Sequence, residues 1–197
     1  MFRYEIIQSL IDKNGFNSYA EIGVEACNCY NRIQIKEKCG CDTIHTGENV
    51  SVCTSDNFFL RIGEKKFDIV FIDGLHEKDT VLRDIENSLK HLNENGIIVV
   101  HDCIPVLEVE QHVPFNGISC WYGDVWKAFA LLRIKRNDLK MHVIDTDCGC
   151  GIISRGSQEL YPAAEDQLSW NLFQQKKNEL MNIITVEEFR KLYLTPE

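Results

Sequence analysis

The sequence predicts a single α/β domain: a mainly parallel sheet, helices on both faces, and an antiparallel closing strand. Three stretches carry this. Phe67–Ile72 is a short, largely apolar, β-branched run that stops at Asp73-Gly74, the pattern of a strand buried on both faces. Val81, Ile85 and Leu89 then repeat at helical spacing, with Leu82 and Leu92 beside them. Residues 97–100 (Ile-Ile-Val-Val) form a second apolar run that ends at His101-Asp102. In open sheets of this kind ligands bind outside the carboxyl ends of the strands. Asp73, His76, His101 and Asp102 are therefore expected to converge on the working edge.

The remaining elements follow in order. Phe2, Ile6, Ile7, Leu10 and Ile11 share one face of an N-terminal helix that Asn14-Gly15 ends. Residues 18–24 read as a strand ending in Glu21-Ile22-Gly23, and Tyr30, Ile33 and Ile35 as the helix and connection after it. Residues 39–42 are a short second strand ending in Asp42, twenty-one residues after Glu21. At that interval an acid closing a second strand meets a ribose hydroxyl; a turn-forming Asp fits the same position. Residues 50–53 are a third strand. Ser55 or Asp56 suits a helix N-cap before Phe58 and also the lining of an adenine pocket. Asn93 to Gly96 should terminate the central helix.

Beyond Asp102, Pro105 and Pro114 bound an irregular acidic segment, of the length that is usually functional or mobile. Residues 121–127 open a helix running to about Arg133; Trp126 reads as core, with Trp121 and Tyr122 divided between core and substrate wall. Residues 141–144 and 149–154 read as an antiparallel hairpin. Trp170, Phe173, Leu180, Met181 and Ile184 mark C-terminal helical packing.

A chain of 197 residues suits one domain, 1–197. A formal net charge of −9 without a dense basic stretch argues against a dedicated nucleic-acid binder. No apolar run is long enough for a membrane span, and the N-terminus lacks a signal-peptide profile, so a cytoplasmic protein is expected. Assembly into a homo-oligomer is left open. The nine cysteines include Cys27/Cys29, Cys39/Cys41 and Cys148/Cys150. This spacing is tighter than usual zinc pairs, so they are expected to be reduced packing residues. His45, His91, His112 and His142 are expected to be structural or exposed.

The strand-end residues also suggest chemistry. Asp73 and Asp102 could share a hard divalent cation such as Mg²⁺, which prefers oxygen ligands and polarises a hydroxyl. His76 and His101, beside Asp102, are candidate bases or further ligands.

Taken together, these residues resemble the class I S-adenosylmethionine-dependent methyltransferases. Glu21 to Val24 is similar to the family's first motif, and Asp42 falls at its ribose-binding acid. Thr54-Ser55-Asp56 resembles its adenine-side loop, Phe67 to His76 its fourth strand with an Asp-Gly-x-His ending, and Gly96 to Asp102 its fifth strand. Within the family, the chain is similar to a branch that includes sugar and macrolide O-methyltransferases. The resemblance implies a Rossmann-like methyltransferase fold with a seven-stranded sheet. It implies S-adenosylmethionine held by Glu21, Gly23, Asp42, Ser55, Asp56 and Asp73, and O-methylation of a small hydroxylated acceptor such as a sugar. One departure stands out: Cys27 lies about where the family's first loop has a second glycine, so its side chain is expected to intrude on the cofactor. Two other classes remain. One is a catalytically silent methyltransferase-like binding domain. The other is a nicotinamide-dependent oxidoreductase, disfavoured because Gly-x-Gly-x-x-Gly is absent.

Overall fold

The N-terminal periodicity forms α1, Arg3–Asn14, which buries Ile6, Ile7, Leu10 and Ile11 and is capped by Gly15 in the left-handed region. The structure, a computed structural model, describes residues 1–44 and 47–195, so His45 lies outside the described residues. Strands β1 (Ser18–Ile22), β2 (Glu37–Asp42) and β3 (Val50–Val52) come next, then α2 (Ser55–Ile62) and β4 (Phe67–Ile72). The central unit continues with α3 (Lys78–Lys90) and β5 (Leu92–Val100). The chain closes with α4 (Val125–Lys135), β6 (Leu139–Ile144), β7 (Cys150–Arg155), α5 (Trp170–Leu180), β8 (Ile183–Ile184) and α6 (Val186–Phe189).

The strands form one sheet in the order β3-β2-β1-β4-β5-β7-β6-β8. Strands β3, β2, β1, β4 and β5 pair in parallel, and β7 runs antiparallel to both β5 and β6. The expected seven strands are joined by an eighth, two-residue strand at the β6 edge. Alternate residues of each inner strand face opposite layers, as the pleat requires. Ala20, Ile22, Val70, Ile72, Ile98 and Val100 pack with Phe58, Val81, Ile85, Trp126 and Phe129 from the helices of one face. Tyr19, Ile69, Phe71, Ile97 and Val99 pack with α1 and Phe189 on the other. Both faces are covered, which is why the central strands read as unbroken apolar runs. Among the described residues, no helix is long and apolar enough to cross a membrane.

Several local expectations change. The stretch after β1 holds only a three-residue 3₁₀ turn, Tyr30–Arg32, where a helix was expected. Glu25 and Cys27 take left-handed backbone, φ 45° and 59°, which breaks a helical path. Tyr30 and Ile33 nevertheless bury against the sheet. Asn93 to Gly96 does not end α3, which stops at Lys90; these residues lie within β5. There β4 advances from Phe67 to Ile69 while β5 advances from Leu92 to Ile97, so β5 carries the excess as a bulge. Asn93 secures it by donating from its side-chain amide to Asp68 at 2.6 Å. The α2 N-cap is Thr54, whose hydroxyl accepts from the Asn57 amide, and not Ser55 or Asp56. Trp121 and Tyr122 precede α4, whose N-cap is Asp124. Ile184 belongs to β8 and not to a helix.

Candidate active site

The ladder runs one residue past the parallel strands. The amide of Gly23 donates to Cys41 O, that of Asp73 to Ile22 O, and that of His101 to Ile72 O, at 2.9, 2.8 and 3.0 Å. Residues 23, 73 and 101 are thereby fixed side by side at the carboxyl edge. A cavity of about 780 Å³ opens there. It is lined by Gly23, Asp42, Ser55, Asp56, Asp73, His76, His101 and Asp102, which are all the sequence-predicted site residues except Glu21.

One end of the cavity is shaped by backbone. Gly23 has φ 81°, and a Cβ there would stand 2.2 Å from the Asp73 carbonyl oxygen. Only glycine allows this close approach of the β1 end to the Asp73–Gly74 peptide. The Asp42 carboxylate is oriented by two amides, accepting from Glu25 N at 3.0 Å and from Ile44 N at 2.8 Å. Ile44 and Leu75, both largely exposed, add apolar lining. Asp56 pairs with Arg83 at 3.3 Å.

Two expectations at this end are corrected. Glu21 does not line the cavity. It shares the strand face of Tyr19, whose hydroxyl donates to it, and is almost wholly buried. Burial pushes its carboxyl up to about 8 against the opposing Tyr19 hydrogen bond. Cys27 does not intrude on the cavity either. Its side chain turns into the α1-side core, and its Sγ lies 3.1 Å from where a Cβ of Gly47 would stand.

The other end is a cluster of charged side chains. His76 Nε2 lies 3.3 Å from Asp73 Oδ1, and its Nδ1 lies 3.3 Å from Asp102 Oδ2. His101 Nδ1 lies 3.1 Å from Asp102 Oδ1 and 3.4 Å from Asp73 Oδ1. Each imidazole therefore bridges both carboxylates. His76 also faces the Trp121 carbonyl through Nδ1 at 2.9 Å and stacks on the Trp121 ring at 5.3 Å. An N–H at Nδ1 is required there, because a carbonyl only accepts. Burial would depress both histidines, but Asp73 and Asp102 outweigh it and raise them, His101 well above its ordinary value. Reciprocally, burial would raise Asp73, but His101 and His76 hold it well below the carboxylate range.

Two members of this cluster were not read from the sequence. Arg3 of α1 places Nη1 2.8 and 3.1 Å from the two ring nitrogens of His101 and 3.7 Å from Asp73 Oδ2. Asp147 accepts from the Arg3 amide at 2.6 Å and lies 3.8 Å from His101 Nε2. Its only sequence signal was the Asp145-Thr146-Asp147 turn; Arg3 gave none. Asp102 itself is held at φ 59°, an uncommon backbone region for a residue with a side chain. Trp121 and Tyr122 line the cavity, while Trp126 is fully buried. Among the described residues, Asp73, His76 and Asp102 offer ligand atoms within 4.8 Å of one another. Two further groups, His101-Asp102-Cys148 and His101-Asp147-Cys150, each include one cysteine, and among the described residues none includes two.

The mainly parallel sheet with its antiparallel strand is the Rossmann-like fold that methyltransferases share. The family model described as "Methyltransferase domain" matches residues 34–103. None of the curated proteins matches. Solved structures with a similar fold include the O-methyltransferase TomG from Streptomyces achromogenes, involved in tomaymycin synthesis and solved with S-adenosylmethionine. It is 15% identical, with TM-score 0.56 over 77% of this chain and 79% of that one. The Podospora anserina methyltransferase PaMTH1, bound to S-adenosylhomocysteine, is 14% identical, with TM-score 0.55 over 80% of each chain. An O-methyltransferase from Bacillus cereus, also with S-adenosylhomocysteine, is 15% identical, with TM-score 0.52 over 77% of this chain and 78% of that one.

Proposed function

We propose that this domain transfers a methyl group from S-adenosylmethionine to a hydroxyl of a small acceptor, with sugars the first class to test. The observation that carries the reading is one cavity joining the Gly23–Asp42 end to the Asp73–His76–His101–Asp102 cluster. Gly23 lets the β1 end pack against the Asp73–Gly74 peptide, and both stretches of backbone line the cavity where a cofactor would lie across the strand ends. Asp42 would accept from the ribose hydroxyls, with Ser55 and Asp56 on the base side. Bound there, the cofactor supplies an electrophilic methyl on its sulfonium.

The protein's own contribution is to align the acceptor oxygen, exclude water and take a proton. Trp121 forms a wall against His76 and fixes which nitrogen of that ring carries its proton. His76, the more exposed of the two histidines, is the favoured base. His101 is more buried and is held by Arg3, Asp73, Asp102 and Asp147, which suits a positioning role. Asp73, Asp102 and His76 would hold a divalent cation, Mg²⁺ being suited to the carboxylates, which would make the acceptor hydroxyl more acidic. A second reading has support too: Arg3 and His101 already lie against the carboxylates, which would leave His76 to act as a base without a metal.

The test is S-adenosylhomocysteine formation across a panel of hydroxylated acceptors, with sugars included. With an accepted substrate, chelator should lower turnover and Mg²⁺ or Mn²⁺ should restore it. Full turnover in chelator would reject the cation. Cofactor binding without turnover on any acceptor would favour the silent binding domain.

A further inference from the structure

We propose that Cys148, His101 and Asp102 form a binding site for a thiophilic divalent ion of the Zn²⁺ class. The site is distinct from the Asp73–His76–Asp102 set, with which it shares only Asp102. It stands independently of the cofactor reading above.

The three residues meet where the β5 end faces the turn between β6 and β7. Asp102, Asp147 and Cys148 all take left-handed backbone there, φ 59°, 44° and 67°. Residues with side chains seldom adopt this conformation, and those that do collect at ligand sites. Backbone pairing locks the two stretches together. The Cys103 amide donates to the Gly149 carbonyl at 3.0 Å, and the Ile104 amide to the Cys148 carbonyl at 2.9 Å. A Cβ at Gly149 would stand 2.5 Å from the Ile104 side chain, so glycine is what lets the turn lie this close. Cys148 is exposed and lines the cavity, whereas seven of the nine cysteines are buried or half-buried. The packing role expected of the cysteines does not extend to it. Cys150, the thiol of the other His101 group, is fully buried and does not line the cavity.

Ligand atoms of His101, Asp102 and Cys148 all lie within 4.8 Å of one another. Asp102 divides its oxygens between two donor sets: Oδ1 is 3.1 Å from His101 Nδ1, and Oδ2 is 3.3 Å from His76 Nδ1. Around tetrahedral zinc, nitrogen and oxygen ligands at about 2 Å stand roughly 3.3 Å apart. The His101–Asp102 spacing is therefore already near that of a ligand pair. Thiolate, imidazole and carboxylate together favour a borderline-soft ion over Mg²⁺, which prefers oxygen alone. Three protein ligands leave a fourth position open to water or to an acceptor oxygen in the cavity. Outer partners are in place as well. The Tyr122 hydroxyl hydrogen-bonds the Cys148 sulfur, and Asp147 lies 3.8 Å from His101 Nε2. Such partners orient ligating groups. Arg3 is the group that has to yield, because its Nη1 sits against the His101 ring. The ion displaces it toward Asp73 and Asp147, which it already faces at 3.7 and 3.6 Å. On binding, the Cys148 sulfur exchanges its proton for the ion and the proton leaves to solvent.

The probe is Co²⁺, which takes zinc sites and reports a thiolate ligand by a charge-transfer absorption in the near ultraviolet. Metal-free protein without cofactor should bind one Co²⁺ per chain with this absorption, displaced by equimolar Zn²⁺ and not by excess Mg²⁺. Cys148→Ser should lose the absorption and bind Zn²⁺ at least about tenfold more weakly, since even losing an outer partner lowers affinity by that much. Cys120→Ser, which removes the other exposed cavity thiol, should keep both. Circular dichroism checks folding. A second readout needs no variant: Zn²⁺ should slow the alkylation of Cys148 by iodoacetamide, read by mass spectrometry of its peptide. Absence of the absorption in the wild-type protein, its persistence in folded Cys148→Ser, or its loss in Cys120→Ser would overturn the assignment. So would equal displacement by Mg²⁺, or alkylation of Cys148 that Zn²⁺ does not slow. None of these outcomes bears on whether S-adenosylhomocysteine binds.

Discussion

The two ends of the cavity are built from different materials. At the proposed cofactor end the shape comes from backbone: the Gly23 crossing over the Asp73 peptide, and the Glu25 and Ile44 amides that orient Asp42. At the proposed acceptor end it comes from side chains: Arg3, Asp73, His76, His101, Asp102 and Asp147, drawn from α1 and from the strand-end loops. A backbone cradle is local and insensitive to most substitutions around it. A charge cluster is coupled, because removing one member leaves its partners buried and unbalanced. The two ends should therefore fail differently when mutated.

The largest effect is expected at the acceptor end. His76→Ala should lower kcat by roughly 10²–10⁴-fold, the range for losing a general base, with cofactor affinity little changed. His101→Ala should also lower the melting temperature, since Asp73, Asp102 and Asp147 all lose a partner. Equal and small losses in both variants would show that the cluster is structural.

A second effect separates the cavity from the acid beneath it. The Glu21 carboxyl is raised from 4.5 to about 8 on folding, so the folded state holds its proton more tightly. Stability from this group is full below pH 4.5 and falls as pH rises to about 8. The loss is on the order of a few kcal/mol. His76 and His101, also raised, act in the same direction, their contribution being lost as pH rises through their folded values. Asp73, being lowered, contributes stability that is lost only in acid. Thermal midpoints between pH 5 and 8 should thus decline, and Glu21→Gln should flatten the decline. An unchanged slope would mean that Glu21 is ionised in the folded protein.

The smallest effect is expected at Cys27. Its side chain lies in the core and its φ is 59°, so Cys27→Gly should change cofactor affinity by less than about 0.5 kcal/mol, as for a site away from the ligand. A large gain in affinity would show that the thiol does obstruct the cofactor.

The same division governs what could be read from the sequence. Strand ends were legible because buried apolar runs stop abruptly at ionisable residues, as at Ile72-Asp73 and Val100-His101. Asp42 was legible from its interval after β1. Arg3 and Asp147 were not, because only tertiary packing brings the first turn of α1 and the β6–β7 turn to the carboxyl edge. Glu21 was misplaced because its motif fixes the strand end but not which strand face its side chain takes. The missing helix after β1 was illegible for a related reason: Tyr30 and Ile33 bury as a helix face would, while the left-handed residues before them prevent one.

The central claim, that the backbone-built end is a cofactor site, is tested most directly by titrating S-adenosylhomocysteine into the wild-type protein and into Asp42→Ala. The account predicts one site per chain in the wild-type protein, weakened by roughly 1.5–3 kcal/mol in the variant, the range for hydrogen bonds to a charged group. Absence of wild-type binding, or unchanged affinity in Asp42→Ala, would contradict it.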